Sequence, residues 1–248
     1  MLEADNNLAV VSGGDSRLSV PSCVVIIPAH NEATSIASVI SEIKEYTTFP
    51  VVVIDDASTD ETILTARQAG AIMIPLAVQL GAWGATQAGL RYAHKNDYAC
   101  AITMDADGQH VAESLAALLE PFITDQAEVV IGKCTARGSR MRKVAWTVIR
   151  KVSGLKLEDL TSGFRVYNRR AIRRLAMWHA TLLDYQDVGV LAMLKAANIQ
   201  VTEVEVNMVL RQHGISRIFY SWTAVMYYMS YTLLLGFSKR GTTYKHPH

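Results

Sequence analysis

Short apolar runs alternate along this chain with stretches in which apolar residues recur every three or four positions, the pattern of doubly buried strands and of helices laid over them. The first run is Val24-Val25-Ile26-Ile27. Behind it Ile36, Val39, Ile40 and Ile43 mark one face of a helix, and Phe49-Pro50 leads into a second run, Val51-Val52-Val53-Ile54, which makes a βαβ unit. Ser58 with Glu61 three residues on has the form of a capping box, opening a second helix that Gly70 should end. The pattern then predicts a strand at Ile72-Met73-Ile74, a helix over residues 84–95 and a strand at Ala101-Ile102-Thr103-Met104. A helix on Leu115, Leu118, Leu119 and Phe122, a strand at Val129-Val130-Ile131 and a later one from Val201 to Val206 complete it. The implied class is α/β, a Rossmann-like, mainly parallel sheet flanked by helices. Such sheets take ligands beyond the carboxyl ends of their strands, so the polar residues directly after each run are where chemistry should lie.

Composition narrows this only a little. The 248 residues, 50% of them hydrophobic, can bury one large core with at most a small appendage. A net charge of +1 argues against a generally basic nucleic-acid binder, so attraction to anions must come from local clusters. The three cysteines, Cys23, Cys100 and Cys134, have no paired metal-ligand spacing and read as buried thiols of a reducing compartment. Residues 1–21 lack the basic start and apolar core of a signal peptide; with Gly13-Gly14-Asp15-Ser16 they read as a flexible leader, and export is not expected. From Ile218 to Phe237 there is no charge in twenty residues, but Phe219, Tyr220, Trp222, Tyr227, Tyr228 and Tyr231 are present, followed by Lys239-Arg240. That composition favours a membrane-surface helix for residues 218–248 over a bilayer span or a helix packed on its own domain.

Two strand ends carry carboxylates. Asp55-Asp56-Ala57-Ser58-Thr59-Asp60 follows the second run, and Asp105-Ala106-Asp107-Gly108-Gln109-His110 follows the strand near residue 102. In extended chain, positions i and i+2 face the same way, so Asp105 and Asp107 can converge on one cation with Gln109 as a neutral oxygen ligand. An all-oxygen set suits Mg²⁺ or Mn²⁺ with its shell completed by water and substrate phosphates; an isolated D-x-D is equally the mark of a turn with capping aspartates. Residues 133 to 157 add Lys133, Arg137, Arg140, Arg142, Lys143, Arg150, Lys151 and Lys156 with no acid. That is either a solvated helix face or, beside a carboxylate edge, a surface for phosphates or an anionic bilayer. Arg211 and Arg217 flank Gln212-His213-Gly214-Ile215-Ser216, a glycine-containing loop able to fold over a diphosphate.

Pro28-Ala29-His30-Asn31-Glu32, Val53-Ile54-Asp55-Asp56-Ala57-Ser58-Thr59-Asp60 and Asp105-Ala106-Asp107-Gly108-Gln109-His110, in that order, resemble glycosyltransferase family 2. Thr161-Ser162-Gly163-Phe164-Arg165-Val166-Tyr167 and Arg211-Gln212-His213-Gly214-Ile215-Ser216-Arg217 are similar to the dolichyl-phosphate mannose synthase branch and its polyprenyl-phosphate hexosyltransferase relatives. The resemblance implies a GT-A fold over residues 22–217, with Pro28, His30, Asn31, Glu32, Asp55 and Asp56 lining the base and ribose pocket. It implies a metal held by Asp105, Asp107 and Gln109, with Arg211 and Arg217 on the phosphates. Asp159, Ser162, Gly163, Phe164, Arg165 and Arg137 would lie on the sugar and acceptor side. The family usually has Lys where Arg217 stands and an aromatic residue near His30, so this chain departs from the pattern there. The activity so implied moves a hexose or N-acetylhexosamine from a UDP- or GDP-linked donor to a polyprenyl phosphate at the cytoplasmic face of a membrane.

A phosphate monoester has a second pKa of about 6, so such an acceptor needs little help from a base and in-line attack inverts the anomeric centre. A hydroxyl acceptor would need a carboxylate, for which Asp187 or Asp184 is the candidate; either is also placed to cap a helix. Other readings fit less of the chain. A response-regulator receiver explains only Asp55-Asp56, and a D-x-D phosphatase expects Thr or Val where Gln109 stands. A non-catalytic nucleotide-sugar scaffold is the remaining alternative.

Overall fold

The structure is a computed structural model that describes residues 22–109, 111–134, 157–159, 162–183 and 188–207. The expected leader and the expected C-terminal helix lie outside these residues. Nine of the elements run in simple alternation: β1 (Cys23–Ala29), α1 (Ile36–Tyr46), β2 (Val51–Asp55), α2 (Thr62–Gln68), β3 (Ile72–Pro75), α3 (Gly81–Lys95), β4 (Cys100–Thr103), α4 (Leu115–Ile123) and β5 (Val129–Lys133). A 3₁₀ turn, Ala112–Ser114, leads into α4. After them come β6 (Arg165–Asn168), α5 (Arg169–Ala176), a 3₁₀ segment Trp178–Leu182, α6 (Val188–Ala196) and β7 (Val201–Glu205). Among the described residues no helix is long and apolar enough to cross a membrane.

The strands form one seven-stranded sheet in the order β3-β2-β1-β4-β6-β5-β7, parallel except where β6 runs against β4 and β5. The central strands are buried on both faces: Val24 to Ile27 and Val52 to Ile54 are fully covered. Ile36, Val39, Ile40 and Ile43 of α1 and Leu115, Leu118, Leu119 and Phe122 of α4 pack on one face, as their spacing predicts. The other face is covered by α3, α5 and α6 through Trp83, Leu90, Ile172, Leu175, Leu191 and Leu194. Because β1 pairs with β2 on one side and β4 on the other, the strand order reverses between β1 and β4, the switch point beyond whose carboxyl ends sheets of this kind take ligands.

Two local readings change. β6 was not predicted as a strand, because Arg165 and Asn168 mask a strand whose middle, Val166-Tyr167, is fully buried. The helix expected to open on a Ser58–Glu61 capping box starts instead at Thr62, whose N–H is accepted by Asp60 Oδ1 at 3.0 Å. Ser58 is engaged elsewhere, accepting the N–H of Asn31 at 2.9 Å. The end of α2 is as expected: Gly70 has φ +79°, and the bonds from Gly70 N to Arg67 O and from Ala71 N to Ala66 O close a Schellman motif. Cys23 and Cys100 are buried opposite each other on β1 and β4, and burial pushes the Cys23 thiol well above its ordinary value.

Helix α3 crosses the sheet closely enough to need a glycine at its centre. A Cβ on Gly89 would stand 2.2 Å from Ile26 Cγ2 and 3.3 Å from Ile54 Cγ1. Gly89→Ala is expected to cost about 1–3 kcal/mol despite the better helix propensity of alanine. A urea titration with a lowered midpoint and unchanged slope checks this.

Candidate active site

The loops after β1 and β2 are bonded into one unit. His30 Nδ1 lies 2.6 Å from the Asp56 carbonyl, which can only accept, so Nδ1 carries the proton and Nε2 accepts from Asn31 Nδ2 at 3.3 Å. Asn31, in the left-handed region at φ 56°, accepts the Thr59 N–H on Oδ1 at 2.8 Å. Glu32 N donates to Thr62 Oγ1 at 2.8 Å, and Ala33 N to Asp60 Oδ2 at 3.2 Å. The bonds to Asp60 outweigh its partial desolvation and lower its carboxyl below the ordinary value. Pro28 is half-buried at the end of β1.

Adjacent aspartates here do different work. Asp56 accepts the N–H groups of Leu80 at 2.6 Å and Gly81 at 2.9 Å, which fixes the N-terminus of α3 with both carboxylate oxygens. Asp56 was expected to line the base and ribose pocket; the structure shows it holding the start of α3. Asp55 is also buried; its Oδ2 accepts the Ser58 N–H at 3.2 Å, but Oδ1 has no hydrogen-bond partner among the described residues. A buried oxygen left unsatisfied costs stability and suits a group awaiting a donor. Asp56→Ala is therefore expected to cost about 3 kcal/mol in a denaturant titration. Asp55→Ala should cost far less there, because one of its oxygens makes no hydrogen bond among the described residues.

Beyond β4, Asp107 Oδ1 accepts the Gln109 N–H at 3.0 Å and closes a turn around Gly108, whose φ is 74°. Glu42 of α1 steadies the 3₁₀ turn next along the chain by accepting the Ala112 N–H at 2.8 Å. Asp105 lies directly against Gly163: a Cβ there would stand 2.5 Å from Asp105 Oδ1 and 3.1 Å from its Cγ. The Gly163 carbonyl in turn accepts Thr103 Oγ1–H at 2.7 Å. Gly163 thus forms a floor under the Asp105 carboxylate, a role no local pattern announces. Asp105, Asp107 and Gln109 offer two carboxylates and an amide on one loop, the donor chemistry of a hard cation. Among the described residues no three His, Cys, Asp or Glu side chains are grouped to hold a metal by themselves.

Of the residues expected on the acceptor side, Gly163 meets Asp105 and Ser162 is buried beside it in the chain, but Phe164 and Arg165 have no exposed surface. Phe164 packs in the core under Gly132, and Arg165 turns back to donate from Nε to the Ser162 carbonyl at 2.8 Å. They support the floor and do not line the site, a correction that arises because β6 is an interior strand. Asp159 is buried with its N–H accepted by Glu203 Oε1 at 2.7 Å, while Glu203 also accepts the Glu158 N–H. Lys133 pairs with Glu158 at 2.8 Å, and that carboxylate holds the ammonium above its ordinary range. Glu203 and Lys133 thereby tie residues 158–159 to the sheet. Arg137, the rest of the basic run through Lys156, Asp184, Asp187, Arg211 and Arg217 lie outside the described residues.

Residues 24–179 match the family model of glycosyl transferase family 2. Among curated relatives, the UDP-N-acetylglucosamine--dolichyl-phosphate N-acetylglucosaminyltransferase of Methanococcus voltae is 24% identical over 78% of this chain and 88% of its own length. The undecaprenyl-phosphate mannosyltransferase of Micrococcus luteus is 31% identical over 61% of this chain and 68% of its own. Among solved structures, glucosyl-3-phosphoglycerate synthase from Mycobacterium tuberculosis, in complex with Mn²⁺, uridine diphosphate and phosphoglyceric acid, superposes with a TM-score of 0.68. It shares 19% identity over 90% of this chain and 80% of that one, a likeness that speaks for the fold, GT-A.

Proposed function

Because the chain belongs to glycosyl transferase family 2, we propose that it moves a hexose or N-acetylhexosamine from a nucleoside diphosphate to a polyprenyl phosphate, with inversion. The observation that carries this reading is that neighbouring strands β2, β1 and β4 bring to one sheet edge the buried Asp55, one of whose oxygens has no hydrogen-bond partner among the described residues, and the all-oxygen loop whose Asp105 lies against Gly163. Asp55 reads the base. A carboxylate oxygen there accepts a ring N–H, which uracil and guanine present and cytosine and adenine do not. Pro28, His30, Asn31 and Glu32, held by their bonds to the β2 loop, shape the ribose side.

Asp105, Asp107 and Gln109 would hold Mg²⁺ or Mn²⁺, which when bound offsets the charge of the departing nucleoside diphosphate. The Methanococcus and Micrococcus relatives are named for dolichyl and undecaprenyl phosphate, which supports a lipid phosphate as acceptor. Such an acceptor carries its own nucleophilic oxygen, so the work left to the chain is alignment and exclusion of water. Asp159 and Ser162 border the acceptor, Gly163 sets Asp105, and Arg137, Arg211 and Arg217 supply positive charge to the phosphates. The reaction takes place at the cytoplasmic face of a membrane, with residues 218–248 lying on its surface.

The test is transfer of radiolabelled sugar from a panel of UDP-, GDP-, CDP- and ADP-sugars to a short polyprenyl phosphate, with Mg²⁺, Mn²⁺ or chelator. One UDP- or GDP-linked donor should give a glycolipid that chelator abolishes. A CDP- or ADP-sugar as the preferred donor contradicts the role given to Asp55.

A further inference from the structure

Beside this site the protein exposes large apolar side chains on a segment that is firmly held. Met177, Trp178 and Leu182 are 45%, 66% and 73% exposed, and Leu80, at the start of α3, is 54% exposed. Their backbone is not frayed. Trp83 Nε1 donates to the Ala180 carbonyl at 2.8 Å, Gln87 Nε2 to the carbonyls of Leu175 and Met177 at 3.0 Å each, and Arg91 Nε to that of Ala176 at 3.0 Å. Side chains of α3 therefore cap the end of α5 and fix the 3₁₀ segment. Since β6 runs against its neighbours, α5 returns toward the carboxyl ends of the parallel strands. The exposed segment thus shares an edge with the α3 N-terminus, which Asp56 anchors next to Asp55.

Charge decides what such a surface fits. From Arg169 to Leu183 the sequence has four arginines and one histidine and no acid. Arg169 pairs with Asp97 and Arg170 with Glu128 at the far end of α5, but exposed Arg173 in its last turn has no ion-pair partner among the described residues. His179 stacks on Trp178 with ring centroids 3.8 Å apart. Exposed tryptophan and leucine following, in the same segment, an exposed arginine without an ion-pair partner among the described residues match the headgroup layer of an anionic bilayer. A two-fold contact between copies of this surface would bring its own arginines together.

We propose that Met177, Trp178 and Leu182, with Arg173 beside them, form a membrane-contact surface that holds the carboxyl edge of the sheet against an anionic bilayer. Its purpose rests on the lipid-phosphate reading of the acceptor; its existence does not. The test is co-sedimentation of the full chain with phosphatidylcholine vesicles, with and without phosphatidylglycerol, for wild type, Trp178→Ser, Leu182→Ser, the double variant and Arg173→Gln, with urea midpoints as a folding control. Wild type should bind the anionic vesicles in a salt-sensitive way, the double variant about tenfold or more weakly, and Arg173→Gln with a reduced preference for anionic lipid. With a short, water-soluble polyprenyl phosphate the double variant should turn over like wild type, and with acceptor embedded in vesicles it should be slower. Wild-type vesicle binding by the double variant overturns the proposal, as does a drop in sedimenting mass without lipid, which makes the surface a contact between copies. Loss of vesicle binding without glycolipid from any donor upholds the surface and removes the acceptor.

Discussion

Asp107→Ala is expected to lower sugar transfer about a thousandfold or more while the fold persists. The carboxylate sits on a turn outside the strands, where one oxygen accepts the Gln109 N–H, so its removal costs local order and no core packing. What is lost is one of only two charged donors on the loop, and the described residues hold no third carboxylate grouped with them. Asp107→Asn separates the two effects, since the amide oxygen can still accept the Gln109 N–H but brings no charge. It should be nearly as impaired as the alanine variant and melt like wild type. Calorimetry of Mn²⁺ binding in the presence of UDP supplies a readout apart from turnover, and both variants should bind the ion more weakly. A wild-type rate in either removes Asp107 from the site.

Gly163→Ala should reduce kcat about a hundredfold, the scale on which a displacement of about 1 Å penalises alignment. The added methyl would stand 2.5 Å from Asp105 Oδ1, too close for either to remain, and the backbone of residue 163 is held by Thr103 through its carbonyl. The carboxylate must therefore move. A double-mutant cycle isolates this contact: in an Asp105→Ala background there is no carboxylate to displace, so Gly163→Ala should add almost nothing. Equal, additive losses in the two backgrounds contradict the role assigned to Gly163.

These two residues mark where the sequence could be read and where it could not. Strands β1, β2, β4 and β5 were visible because both their faces are buried, which makes each a continuous apolar run. The faces of α1 and α4 were visible for the matching reason, one apolar stripe each. β6 was hidden by an arginine that is buried by bonding back to Ser162, a long detour from the usual rule for charge. Ser58 looked like a helix cap because capping is read locally, while its hydroxyl accepts from Asn31 on another loop. Asp55 and Asp56 are indistinguishable in sequence; only the arrival of α3 shows that Asp56 uses both oxygens on backbone N–H groups while Asp55 uses one and, among the described residues, leaves the other without a hydrogen bond. The D-x-D loop was legible as chemistry, but the glycine beneath it belongs to a different motif and meets it only in the folded chain.

The central claim is that the acceptor brings its own nucleophile as a phosphate. The most direct measurement is a side-by-side transfer assay with the preferred donor and two acceptors of equal chain length, a polyprenyl phosphate and the corresponding polyprenol, using wild type, Asp184→Asn and Asp187→Asn. Transfer to the phosphate alone, with inversion and with both variants close to wild type, is the predicted result. Transfer to the free alcohol that Asp184→Asn or Asp187→Asn abolishes would contradict it and make that carboxylate a catalytic base.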